Sequence, residues 1–424
     1  MKRTSLGMST MTALSAAGVL LLSACGGGSG GSSDGTVTLK LVAADYGSNG
    51  QNPSQAYWDN LVSAFEKDNP KIKVSVQIIN WNDIDKQVAT MVQAGNQPDI
   101  LQTGGYASFA KDGLLYPAAS VLDASTQADF ISSLTQAGEV GGTQYGIPFV
   151  SSARQFLINN TLWKKAGLPM NGSSAVAPKT WADVEKDAKA LKAAGVEIPL
   201  GLPLGSEEAQ GESFMWMMQN GGGYQDSSGK WAIDSPQNVA TFTQLKTWVN
   251  EGLTEKDPAA VNRTDLYKDF ASGKVGMLNG HPTQLGDIKT NNLSVTWAPL
   301  PSKDGTGNAT LGVADWMMAF KKSGHQAQIK TFLDYVFTKQ NTVKFDEEYN
   351  LMPVTKDALD QVKTDVPALV PFLNALPDAK LYPLNDPTWD SVSANVKTQI
   401  GSAVTGDPQS VLSTLQKQAQ QAGQ

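Results

Sequence analysis

The chain has 424 residues and a formal net charge of −7, with 40 Asp and Glu against 33 Lys and Arg. No block of basic residues occurs, so nucleic acids and anionic lipid surfaces are poor partners. A chain of this length buries one or two sizeable cores, and its single cysteine, Cys25, rules out an internal disulfide.

The chain opens with Lys2 and Arg3, followed by an apolar stretch through Leu14, Ala16, Val19, Leu20, Leu21 and Leu22. Residues 1–24 therefore read as a secretory signal, too short for a spanning helix with ordinary flanks. Leu22-Ser23-Ala24-Cys25 resembles the lipobox of bacterial lipoproteins, which implies that Cys25 becomes an acylated first residue. Residues 25–35 are rich in Gly and Ser and read as a flexible tether. Within it, Gly27-Gly28-Ser29-Gly30-Gly31 matches a hydrolase nucleophile motif, but neither the strand nor the helix that motif needs is expected around it. Further on, no second long apolar run is present, so no membrane span is expected.

Beyond the tether, strand and helix signals alternate. Val37, Leu39 and Leu41 alternate with polar neighbours, as do Ile72, Val74, Val76 and Ile78. Between them Trp58, Leu61, Val62 and Phe65 recur at helical spacing. Ile84, Val88, Met91 and Val92 predict a second amphipathic helix, and Asp99-Ile100-Leu101 a short third strand. This βαβ order implies an open, largely parallel sheet that binds ligands beyond the carboxyl ends of its strands. Those ends carry Asp45, Tyr46 and Asn49, then Trp81, then Tyr106, a mixture of rings and short polar groups. Thr180 with Asp183 has the form of a capping box, and Gly195 suits the end of that helix.

Several stretches resemble, in order, landmarks of the extracellular sugar-binding proteins of ABC importers: Gln97-Pro98-Asp99-Ile100, Gly113-Leu114-Leu115-Tyr116-Pro117, Tyr145-Gly146-Ile147-Pro148, Leu157 to Leu168, Pro178 to Asp183, Phe270 to Leu278, and Leu351-Met352-Pro353-Val354. The resemblance covers nearly all of residues 36–424. It implies an α/β, two-lobed fold of the periplasmic-binding-protein type (type II), each lobe a mainly parallel sheet flanked by helices, with a hinge between them. The expected first lobe is 36–148 plus 282–318, and the second 149–281 plus 319–424, with crossings near Phe149-Val150 and Gly280.

The resemblance further implies a monomer that holds a carbohydrate, an oligosaccharide by the number of rings, and delivers it to membrane permease subunits, with no cofactor and no metal. Aromatic rings pack on the apolar faces of a sugar while carboxylates, amides and guanidinium groups take its hydroxyls. Expected ligand contacts are Asp45, Tyr46, Asn49, Trp81 and Tyr106 in the first lobe, and Ser152, Arg154 and Glu212 in or near the second. Many family members have Gly-Pro-Trp where this chain has Asn279-Gly280-His281-Pro282. Asn279 and His281 are therefore candidates, and the pair Asp315-Trp316 is expected to supply the missing carboxylate and ring. Tyr382 and Trp389 are placed on the far rim, whereas Met215, Trp216 and Met218 are assigned to the core and Asp99 to a structural role.

Two other classes fit the composition less well. A glycosidase needs two opposed carboxylates, which the many acids do not exclude. A Ser-His-Asp hydrolase would have to use His281 or His325, the only histidines, and His325 lies in a polar run read as a solvated turn. A glycan adhesin would show repeats or an elongated β-rich chain, and neither is present.

Overall fold

The computed structural model describes residues 35–47, 54–307 and 309–423; the signal sequence, Cys25 and Asn49 lie outside the described residues. Strand β1 (Val37–Ala44) pairs in parallel with β2 (Ile72–Ile79) on one side and β3 (Ile100–Thr103) on the other. Helices α1 (Ser54–Asp68) and α2 (Ile84–Gln93) make the crossovers, as the alternation predicts. Along β1, Leu39, Leu41 and Ala43 enter one cluster with Trp58, Phe65 and Phe149, while Val42 and Ala44 enter another. The sheet is thus covered on both faces.

The sheet is completed by Val313–Ala319, antiparallel to β3, and Ile147–Ser152, antiparallel to Val313–Ala319. A second sheet has the order Ile198–Leu200, Val275–Gly280, Gln155–Asn159 and Val295–Ala298. Only its first two strands run parallel. Both sheets are therefore mixed, because the chain passes directly from one to the other. Ile147–Ser152 belongs to the first sheet and Gln155–Asn159 to the second, with only Ala153 and Arg154 between.

Sheet membership departs from the expected lobe boundaries. Val295–Ala298 pairs with Gln155–Asn159 in the second sheet, so the chain returns to the first sheet after Ala298, not near Gly280. After Ala319 it stays with the first sheet for two helices. Ile329, Phe332, Leu333 and Val336 from Gln326–Val336, with Phe345 and Tyr349 from Lys339–Tyr349, pack on Leu39, Leu41, Trp58 and Phe65. Amphipathic spacing identified the first of these helices, but a hydrophobic stripe does not say which core it covers.

Local signals reappear in the coordinates. Thr180 and Asp183 form the reciprocal capping box at the start of Trp181–Ala193, and Gly195 takes φ +76° just beyond its end. Asp99 is structural, accepting from the Lys40 amide at 2.7 Å and meeting His325 Nδ1 at 3.2 Å. The run Lys321–Gly324 is the exposed turn expected, but His325 at its end is only partly solvated because of this contact.

Candidate functional site

The carboxyl ends of β1, β2 and β3 bring together one polar wall. Ala44 donates its amide to Gln102 Oε1 at 3.0 Å, and Gln102 Nε2 donates to the Tyr46 hydroxyl at 2.6 Å. Tyr46 in turn donates to Asp315 Oδ2 at 2.8 Å. The relay fixes the Asp315 carboxyl from behind. Trp81 stands edge-on to Tyr46, 5.5 Å between centroids, and is only half-buried. Between Trp81 and Asp315 lies Gly104, where a Cβ would come within 3.9 Å of both side chains. Burial pushes the Asp315 carboxyl up to about 6, against the pull of the Tyr46 hydrogen bond.

The opposing wall is built from charges. Arg154, 1% exposed, donates Nη1 to Ser152 Oγ and Nη2 to Glu208 Oε1, both at 2.8 Å. Arg263 holds the other Glu208 oxygen and donates Nη2 to Glu207 Oε1 at 3.0 Å. Glu208 stands just before the helix Ala209–Met218, and Glu212 lies in that helix's first turn. Glu212 Oε1 accepts from Trp216 Nε1 at 2.6 Å and from Asn279 Nδ2 at 2.8 Å. Glu212, Glu208, Arg154, Arg263 and Tyr267 line one small recess. His281 is buried with Nδ1 on Thr283, its protonation suppressed by burial first and by Arg154 and Arg263 second. The buried hydroxyl of Tyr382 has no hydrogen-bond partner among the described residues and feels Glu208, Arg154, Arg263 and Asp315. Asp315 likewise feels Glu208, Arg154 and Arg263, so the two walls share one field.

Of the residues expected from sequence, the structure gathers Tyr46, Trp81 and Asp315 on one wall and Ser152, Arg154, Glu212, Asn279 and His281 on the other. Three it does not bring there. Asp45 shapes the loop, its Oδ1 accepting from the amides of Gly47 at 3.0 Å and Ser54 at 2.9 Å. Tyr106 is 0% exposed and donates its hydroxyl to the Ala137 carbonyl. Trp316 is also 0% exposed, 5.1 Å from the Tyr106 ring and packed over Gly138 and Gly146. Consecutive strand residues face opposite ways, so Asp315 and Trp316 cannot both point at one ligand.

Gln102, Glu207, Glu208 and Arg263 escaped sequence reasoning as site residues. The acidic pair Glu207-Glu208 just ahead of an apolar helix was the available signal; Arg263, more than fifty residues later, offers none.

Burial pushes the Glu212 carboxyl up to about 8. A carboxyl raised in the folded state holds its proton more tightly there than in the unfolded chain. Its contribution to stability is complete at low pH and is lost as pH rises from the ordinary carboxylate range toward 8. Glu212→Gln keeps the acceptor oxygen for Trp216 and Asn279 but cannot ionise. Urea midpoints between pH 5 and 9 should show wild type losing stability relative to Glu212→Gln up to about pH 8, then running parallel. A constant difference across that range would refute the assignment.

Two α/β sheets joined by a short crossing bring an aromatic-edged polar wall and a charged wall into one electrostatic field, the frame of a two-lobed binding protein. The model of the bacterial extracellular solute-binding proteins matches residues 49–343, and the chain belongs to that family. A binding protein of Brucella abortus is 25% identical over 386 residues, covering 88% of this chain and 90% of the relative. The sn-glycerol-3-phosphate-binding periplasmic protein of Brucella melitensis is 26% identical over 284 residues, 63% of this chain and 64% of its own. The fold matches the ABC-transporter solute-binding protein of Thermotoga lettingae, solved with α-D-tagatose bound. Its TM-score is 0.78 at 19% identity, covering 91% of this chain and 99% of that one.

Proposed function

We propose that the chain is the lipid-anchored, extracytoplasmic binding component of an ABC importer, capturing a carbohydrate between its lobes for delivery to the permease. The observation that carries the substrate class is Asp315, braced by Tyr46 and Gln102 and set beside Trp81 across Gly104. A fixed carboxyl next to an accessible ring is what a sugar's hydroxyl rim and apolar face require. The charged wall argues against a phosphorylated solute such as glycerol phosphate. The charges of Arg154 and Arg263 are balanced by Glu207 and Glu208, so a phosphate would meet no net positive charge there, although Arg263 Nε has no partner among the described residues. The raised carboxyls Asp315 and Glu212 are held by hydrogen bonds from Tyr46, Trp216 and Asn279, which suits recognition of hydroxyls without bond cleavage.

Melting curves against D-tagatose, maltose, longer neutral oligosaccharides and sn-glycerol 3-phosphate test the reading, since a ligand bound only by the native state raises Tm. A neutral carbohydrate should raise Tm and glycerol phosphate should not. For the sugar found, Asp315→Asn should weaken affinity by about ten- to a hundred-fold, the loss of a charged hydrogen bond, with the apo Tm not lowered because Asn still accepts from Tyr46 and removes a carboxyl that burial disfavours in its charged form. A shift with glycerol phosphate alone would overturn the carbohydrate assignment.

The anchor rests on the Leu22-Ser23-Ala24-Cys25 sequence. Cys25→Ser should release the protein from the membrane fraction while leaving ligand binding intact. Unchanged membrane attachment in that variant would remove the anchor from the proposal.

A further inference from the structure

Gly104 and Gly105 are consecutive and serve different neighbours. Gly104 faces Asp315 and Trp81, whereas a Cβ on Gly105 would overlap the carboxylate of Asp390. Asp390 opens the helix Trp389–Gln399, whose apolar residues Val392 and Val396 share a core with Leu412 and Leu415 near the chain's end. Its Oδ2 accepts a short hydrogen bond from Ser108 Oγ, in α3 (Ala107–Lys111) directly after β3. Two turns along the same helix, Lys397 Nζ meets Asp85 Oδ2 of α2 at 3.1 Å, and Asp85 Oδ1 accepts from Thr103 Oγ1 at 3.3 Å. One helix of the second lobe thus grips the ends of β3 and α2 of the first at two points.

The two sets of charges touch through Lys397, whose charge also reaches Glu208. Asp315 interacts with Tyr46, Glu208, Arg154 and Arg263, while Asp390 interacts with Ser108, Asp85 and Lys397. The exposed Asp85–Lys397 pair is worth little alone, since surface ion pairs contribute at most about 1 kcal/mol. The partly buried Asp390–Ser108 bond seated on Gly105 is the specific element. Every group in it belongs to the chain, so its formation calls for no ligand atom.

We propose that Gly105, Ser108 and Asp390 form a clasp that joins the lobes beside the solute contacts and sets how much of the sugar-free chain is closed. Its consequence for capture rests on the function proposed above, because a lobe that closes before contact raises apparent affinity by raising the competent fraction. Gly105 does not use the left-handed region, so alanine suits its backbone there. The added methyl overlaps Asp390 while Asp390 is seated on Ser108, and opening relieves the overlap at the cost of contacts in the cluster that Tyr106, Ala107 and Ala110 share with Val392 and Val396.

The test is small-angle scattering of the mature chain without sugar, with circular dichroism to confirm folding. Gly105→Ala should increase the radius of gyration. Adding Asp390→Ala should bring it down to the smaller expansion of Ser108→Ala, because the obstructing carboxylate goes together with the clasp bond, a non-additive pair. Ser108→Ala, which removes a bond and adds no bulk, should expand the chain less than Gly105→Ala. Equal radii for wild type and Gly105→Ala would overturn the clasp, as would an expansion that Asp390→Ala does not reduce. Because no sugar is present, the outcome is independent of the sugar panel: the clasp can stand where the carbohydrate assignment fails, and the reverse.

Discussion

Trp316→Ala should destabilise the protein by about 3–5 kcal/mol, the range for deleting a large buried aromatic side chain. The indole is fully buried and lies 5.1 Å from the Tyr106 ring. Gly138 and Gly146 lie against it: a Cβ at Gly146 would come to 3.0 Å from Trp316 and 2.9 Å from Tyr106, and one at Gly138 to 3.1 Å from Trp316 and closer still to the Gly146 carbonyl oxygen. Little can collapse into the vacated volume, because the backbone of Val313–Ala319 is held by strands on both sides. Urea unfolding should show a lower midpoint, and the affinity for sugar should change only as far as the fold is lost. A normal midpoint with weakened binding would mean that Trp316 stacks on ligand after all.

Removing the Arg154 guanidinium should be nearly as damaging. Breaking a buried ion pair by deleting one partner costs about 3–5 kcal/mol, because the other charge is left desolvated. In Arg154→Met, Ser152 Oγ loses its donor and Glu208 keeps only Arg263. That second grip places the expected loss near the lower end, about 3 kcal/mol. Glu208→Gln introduced into Arg154→Met should recover part of the stability by removing the uncompensated charge. If the double variant is less stable than Arg154→Met in urea, the network is not held together by charge pairing.

Most of residues 37–103 were legible because each element is short-range. Period-2 alternation marks β1 and β2, helical spacing marks α1, and each pattern depends only on residues a few positions apart. The capping box at Thr180-Asp183 is local in the same sense, and so is the turn at Gly195. The site was legible only in part. Trp81, Tyr46 and Asp315 follow from the rule that ligands lie beyond the carboxyl ends of strands, together with their residue types. Asp45 sits in the same place, but its carboxylate is engaged by the amides of Gly47, two residues on in an Asx turn, and Ser54, nine residues on; residue type alone suits that turn and a ligand contact equally.

By itself, then, the sequence determined the strand–helix order, the family landmarks, the acidic charge and the kind of side chains available to a cleft. Tertiary structure alone decided which of those side chains share it. Asp315 and Trp316 are neighbours in sequence, yet the strand turns one toward Tyr46 and the other into the core, since successive strand residues face opposite ways. Arg154, Glu208 and Arg263 are far apart in sequence, yet burial forces them together, since a desolvated charge must find an opposite one. The lobe boundaries moved for a related reason: hydrophobic spacing shows that a helix has a face to bury, and only the assembled sheets show which core receives it.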